Sequence, residues 1–338
     1  MKKTLALFIL PLMFSLNICL ALAKTVIPGG ESIGVVMRYD GVLVTGDYSF
    51  EAEGKTVNPN ADTFKSGDLI KSIEGNPITS NDDLVRYIRQ ALPNQTSLSV
   101  QIERQGKLVE ETLEVYYDKA NDSFKTGLYI KDNLSGIGTI TFYDPETSTF
   151  GALGHPMIET DIEASSLLEI SAGEAFDAYI LSVDKSSNGH PGQKLARIEK
   201  TKYLGNVKLN NQYGIYGYYD TLYKDDVSEI EVANQSEVVL GEAKILTVVQ
   251  GHEVNSYSIE ITSLETQTSQ EIKGLTFKIT DESLLAQTNG VVQGMSGSPI
   301  IQNGKLIGAV THVSIDDVDQ GYGLYIEWML EENNKMIS

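Results

Sequence analysis

Cysteine is almost absent from this 338-residue chain, and the single one, Cys19, lies inside an apolar N-terminal stretch. The rest of the chain therefore has no disulfide, no thiolate metal site and no cysteine nucleophile. Histidine is scarce too. His155, His190, His252 and His312 are far apart and make no His-x-x-x-His pattern, so neither a metal nor a cofactor is expected. Basic residues are outnumbered, 26 Lys and Arg against 46 Asp and Glu. The resulting net charge of −20 argues against nucleic acid and anionic membranes as partners. Beyond residue 127, long helical periods are missing until the last ten or so residues.

Strand-forming residues are plentiful. Thirty glycines, seventeen tyrosines and many Val, Ile and Thr runs favour strands over helices. Residues 1–23 read as an export signal or a retained anchor. Lys2 and Lys3 precede an apolar run from Leu5 to Leu22, and Ala21-Leu22-Ala23 suits cleavage.

Residues 24–118 contain short strands at Val35-Val36-Met37 and Gly41–Val44, a strand between two turns within Ser66–Ile78, and an alternating pair running to Val115. Ser80 is an N-cap for a helix over about Asn81–Ala91, with Leu84, Val85, Ile88 and Leu92 on one face. Gly67-Asp68-Leu69-Ile70, followed by Ile73, Gly75 and Ile78, gives this region its resemblance to a PDZ domain of the bacterial peptidase kind. By that resemblance, Ser32, Ile33, Gly34 and Val35 are the loop whose amides bind a peptide's terminal carboxylate. Pro59–Phe64 departs from the usual pattern in lacking an Ala-Gly pair. Past a polar linker from Tyr116 to Lys125, regular short strands with turn signals indicate a barrel or sandwich over 119–338.

The most informative stretch is Gly294-Met295-Ser296-Gly297-Ser298-Pro299. Small residues allow a tight turn that aims the Gly294 and Ser296 amides into one pocket, an oxyanion hole. The following Pro-Ile-Ile, Asn-Gly-Lys and Leu-Ile-Gly-Ala-Val read as a strand, a turn and a strand. Ser298 is the competing nucleophile, but it lacks the glycine amide two residues upstream.

The Gly-x-Ser-Gly-x-Pro pattern resembles the nucleophile loop of chymotrypsin-like serine peptidases. The longer run from Val291 to Val313, with Gly321-Tyr322-Gly323 and Ile326–Leu330, is similar to the SpoIVB peptidase family of endospore-forming bacteria. The resemblance implies a chymotrypsin-like double β-barrel after the small α/β PDZ domain, and Gly151-Ala152-Leu153-Gly154-His155 as the carrier of the base. It points to Asp281 as the triad acid, beside His155 and Ser296. The residues themselves leave open Asp177, Asp184 or Glu199 as the acid, His312 as the base, and Asp281 as a helix cap. The family further implies an exported peptidase acting between the forespore and mother-cell membranes. Its substrates would be its own chain and a membrane-bound regulator of a sigma-factor-processing protease. The rival reading is a non-catalytic PDZ-bearing scaffold of the cell envelope.

Overall fold

Alternation of buried and exposed side chains builds most of this protein into strands. In the strand Asn255–Leu264, Tyr257, Ile259 and Ile261 turn inward between exposed Ser258, Glu260 and Thr262. The computed structural model describes residues 24–338 except 53, 92–95, 119–120, 161, 163–169 and 225–226. The export segment and Leu92 lie outside the described residues.

Two six-stranded antiparallel rings carry the site. In the first, Ser32–Asp47 pairs with Leu128–Asp144, followed in order by Thr149–Ala152, Gly214–Tyr219, Gln193–Asn211 and Ile170–Asp184. Ile170–Asp184 pairs back onto Ser32–Asp47 and closes the ring. In the second, the order is Gly241–Thr247, Asn255–Leu264, Leu275–Ile279, Gln320–Tyr325, Lys305–Val313 and Pro299–Gln302, again closed. Each ring has its own apolar core, around Ile33, Val35, Ile140, Phe150 and Ile215 in one and Ile245, Ile259, Phe277, Met295 and Ile300 in the other. The C-terminal helix Ile326–Ile337 covers the seam, burying Ile326 and Met329 against Phe142, Tyr216, Leu306 and Leu324.

The PDZ unit packs the helix Asn81–Ala91 on strands Leu69–Ile73, Ser97–Arg104 and Lys107–Glu114. Ser80 caps that helix by accepting from the Asp83 amide at 3.1 Å. Leu84 and Ile88 face the core as expected, while Val85 is 43% exposed, one step around the helix from the buried stripe.

The domain boundary differs from the expected 24–118. Ser32–Tyr39 pair within the first barrel and Thr25–Pro28 pair with its strand Leu128–Asp144, so the PDZ unit is inserted into it. Ser32–Asp47 is 16 residues long, on the order of 50 Å. Its first half lies in the barrel, whereas Val42 and Val44 lie in the PDZ core. The returning strand Leu128–Asp144 does the same in reverse, pairing Leu128 with Asp47 and Thr139 with Ser32.

This placement corrects the reading of Ser32, Ile33, Gly34 and Val35 as a carboxylate-binding loop. All four are buried at the start of the strand Ser32–Asp47. They pair with Thr139, Gly138, Ile137 and Gly136 on one side, and residues 33–35 pair with Asp177, Phe176 and Ala175 on the other. Ladder pairing on both edges leaves no open nest of amides for a terminal carboxylate.

Candidate active site

The helix Glu282–Thr288 ends at Asn289 in the left-handed region, and the chain then winds between the barrels to Ser296. Two threonines of the first barrel hold this loop. The Thr139 amide donates to the Ser296 carbonyl (2.9 Å), and its hydroxyl donates to the Gly294 carbonyl (2.7 Å). The Thr141 hydroxyl donates to the Gly297 carbonyl at 2.8 Å. Among the described residues, neither the Gly294 nor the Ser296 amide donates to a backbone carbonyl. Both amides are thus without a backbone acceptor. Ser296 Oγ donates to the Thr311 carbonyl at 2.9 Å. Ser298 is fully buried, out of reach of any substrate, and its carbonyl accepts from Val310.

His155 arrives from the other barrel. Leu153 and Gly154 both take positive φ after the strand Thr149–Ala152. A Cβ on Gly154 would lie 2.9 Å from Thr311 Cγ2, so glycine lets the turn close onto the strand Lys305–Val313. Asn210 holds the segment that follows, accepting from the Met157 amide at 2.9 Å and donating to its carbonyl at 2.8 Å. The His155 ring centroid lies 5.5 Å from that of His312.

His155 Nδ1 lies 2.8 Å from the Pro156 carbonyl. A carbonyl can only accept, so this contact places the proton on Nδ1 and leaves Nε2 basic. Burial lowers the His155 pKa below its ordinary value. His312 is lowered further, to about 4, by burial first and then by His155 and Lys273. Both rings are therefore neutral at pH 7.

A cavity of about 550 Å³ lies between the barrels and is lined by Gly294, Ser296, His155 and His312. Its other walls include Met157, Val291, Val292, Val310, Val313 and Ile315. Among the described residues no carboxylate lines it. The structure thus brings together three of the four residues expected in the catalytic centre, and His312 with them.

Asp281 is placed elsewhere. Its carboxylate caps the helix Glu282–Thr288, accepting from the Ser283 and Leu284 amides at 3.0 Å each. Burial pushes its pKa up, and the hydrogen bonds from Ser283, Leu284 and Ser258 outweigh it and hold the group below its ordinary value. The assignment of Asp281 to the triad is therefore not met by this arrangement, because its lone pairs serve a helix end. Asp281→Asn is expected to keep activity within about threefold, since asparagine caps as well as aspartate. Asp281→Ala is expected to cost ~1 kcal/mol of stability. Thermal melts and steady-state rates of both variants check this.

The other carboxylates also have partners outside the cavity. Asp177 pairs with Lys202 (2.9 Å) and His252 Nδ1 (3.1 Å), and Glu199 pairs with Lys202 (2.8 Å). Asp177, Glu199 and His252 bring donor atoms within 4.8 Å of one another, but the Lys202 ammonium sits among them. Asp184 accepts from Gln193 Nε2 at 3.4 Å. His190 closes a two-way backbone turn with Ser187.

A family profile described as SpoIVB peptidase S55 matches residues 122–330. The chain belongs to the SpoIVB peptidase S55 family. A PDZ-domain profile matches residues 33–115, so this S55 peptidase is a serine peptidase carrying a PDZ domain, and its substrate is a protein or peptide. Among solved structures, the S55 peptidase is similar to the Rv3671c protease of M. tuberculosis in its active form. That match has 16% identity, covers 60% of this chain and 74% of that one, and has a TM-score of 0.34. The inactive form gives 14%, 60%, 85% and 0.33 in the same order. The PDZ domain of an SdrC-like protein from Listeria monocytogenes is 25% identical over 27% of this chain and 88% of that one, with a TM-score of 0.22. The comparison with curated proteins finds no match.

Proposed function

We propose that Ser296 is the nucleophile of this peptidase and His155 its general base, with the Gly294 and Ser296 amides as the oxyanion hole. The observation that carries this reading is the convergence of these groups on one cavity between the barrels. In the first step His155 Nε2 takes the Ser296 proton as Oγ attacks the scissile carbonyl. In this reading the Pro156 carbonyl holds the His155 tautomer, the part a triad carboxylate plays elsewhere. The test is a fluorophosphonate probe. Labelling of the wild-type chain that vanishes in Ser296→Ala supports the reading. An unlabelled, folded wild-type chain returns the protein to a scaffold role.

Apart from the two neutral histidines, no ionisable side chain lines the cavity among the described residues. A buried charge without a partner is costly, so apolar side chains are the expected occupants beside the cleaved bond. Peptides with Leu or Phe there should exceed those with Lys or Asp by roughly 10²-fold in kcat/KM. A mixture-based peptide library read by mass spectrometry measures that ratio, and equal cleavage of charged peptides would remove the assignment.

Membership of the family supports a signalling role in sporulation. In it the peptidase is exported, acts between the forespore and mother-cell membranes, cleaves itself, and cuts a membrane-bound regulator of sigma-factor processing. Self-cleavage is the step open to direct measurement. New N-termini should accumulate in the wild-type chain and not in Ser296→Ala.

A further inference from the structure

Lys194 is a lysine of unusual burial, and it lies beneath the nucleophile loop. It is 5% exposed and sits at the start of the strand Gln193–Asn211. Among the described residues it has no carboxylate partner. Its Nζ faces three hydroxyls instead: Thr247 at 2.9 Å, Ser32 at 3.4 Å and Thr139 at 3.5 Å. Burial alone lowers its pKa from 10.5 to about 7. A group held at such a cost to stability calls for a reason other than packing.

Its neighbours supply one. The Thr139 hydroxyl that Lys194 approaches is the one that donates to the Gly294 carbonyl, at 2.7 Å. The Lys194 amide donates to the Gln293 carbonyl, and the Gln293 amide donates to the Gly192 carbonyl. Gly294 takes φ +94°, and a Cβ built on it would meet Lys194 Cδ at 3.0 Å and its Cβ and Cγ at 3.2 Å. The lysine stem is thus the floor on which the Gly294 peptide rests, and the amine backs the hydroxyl that fixes that peptide's carbonyl. Thr247 and Ser32 come from opposite barrels, so the amine also ties the two halves together under the loop.

We infer that Lys194 is a positioning residue for the oxyanion hole. Through Thr139 it holds the Gly294 carbonyl, and through its own amide the Gln293 carbonyl, whose peptide carries the Gly294 N–H; with the peptides on both sides of Gly294 fixed, that amide stays directed at the substrate. This rests on the assignment of Ser296 and its amides above. In chymotrypsin-like zymogens an aspartate before the nucleophile meets a new N-terminal amine. Met295 stands at that position here, and the supporting amine is Lys194, already part of the chain.

The test compares Lys194→Met, Thr139→Val and the double variant on one peptide substrate, with fluorophosphonate labelling rates and melting temperatures. Each single variant should lower kcat about tenfold or more while KM changes less than about twofold. The double variant should be no slower than the slower single one, because both act on the same carbonyl. Among the described residues the groups facing the amine are hydroxyls only, and its pKa in the fold is depressed. The group therefore lowers stability as pH falls from 10.5 toward 7. Lys194→Met should accordingly melt no lower than wild type at pH 7. Rates of wild-type size in both single variants overturn the inference. So do additive losses that track a lowered melting temperature, the mark of a merely structural role. If Lys194→Met does not fold, Thr139→Val decides alone: a wild-type kcat overturns the inference. A wild-type chain that neither labels nor cleaves overturns the peptidase assignment and this inference together, whereas a labelled wild type with full-rate variants overturns only the role of Lys194.

Discussion

Ser296→Ala is expected to lower kcat by about 10⁶-fold, the scale at which removal of a serine nucleophile abolishes covalent catalysis. The fold should survive. Ser296 Oγ makes one hydrogen bond, to the Thr311 carbonyl, and the loop is held by backbone groups and by Thr139 and Thr141, which alanine leaves in place. Ser298→Ala separates nucleophile from neighbour. Its hydroxyl is buried without a partner, so its removal should leave activity within about tenfold and stability unchanged or slightly improved. Labelling, peptide cleavage and melting temperature of the two variants form the comparison. Equal loss in both, with both folded, would remove Ser296 as the nucleophile.

His155→Ala should match Ser296→Ala in its effect, and the double variant should be no worse than either, because the two residues act as one unit. His312→Gln should cost far less. His312 lines the same cavity, but its ring sits on a strand with Nδ1 buried and unpartnered, so no acceptor holds a proton there as the Pro156 carbonyl does for His155. The pH profile supplies a second reading. A base must be neutral to accept a proton, and burial holds His155 below its ordinary 6.5. The midpoint of the acid limb of the kcat/KM profile should therefore lie below pH 6.5. A fall centred above pH 7, or collapse in His312→Gln with His155→Ala active, would transfer the base to another group.

Much of this was legible in the amino-acid sequence where the signal is local. The loop around Ser296 announces itself through glycines that permit a tight turn. The helix Asn81–Ala91 follows from Ser80 and the spacing of Leu84 and Ile88. The closing helix Ile326–Ile337 follows from the one helical period near the C-terminus. Asp281 was legible both ways, as a family acid and as a cap, and the fold uses the cap. What local reading missed is what depends on distant partners. Nothing in Ser32–Val35 shows that Thr139 and Asp177 lie more than a hundred residues ahead as its neighbours, so a strand read as a loop. Lys194 in Gly-Gln-Lys-Leu-Ala reads as a surface lysine, since charged residues are seldom fully buried. Asn210 and the Pro156 carbonyl carry no motif at all.

The two strands shared by the PDZ unit and the first barrel bear on how the chain folds. Ser32 leaves the ribosome about a hundred residues before Thr139, its partner, and such distant pairings are slow because the intervening chain must first be brought together. A PDZ unit that forms first shortens that separation for the barrel. Its core draws only on residues between Val42 and Ile130, so it can form first and clamp Val44 against Ile130. Once it does, Arg38 and Asn133 are a few residues from alignment, and the ladder can zip from there toward Ser32 and Thr139. In this order of events the PDZ unit is the nucleus that sets the register of the catalytic barrel.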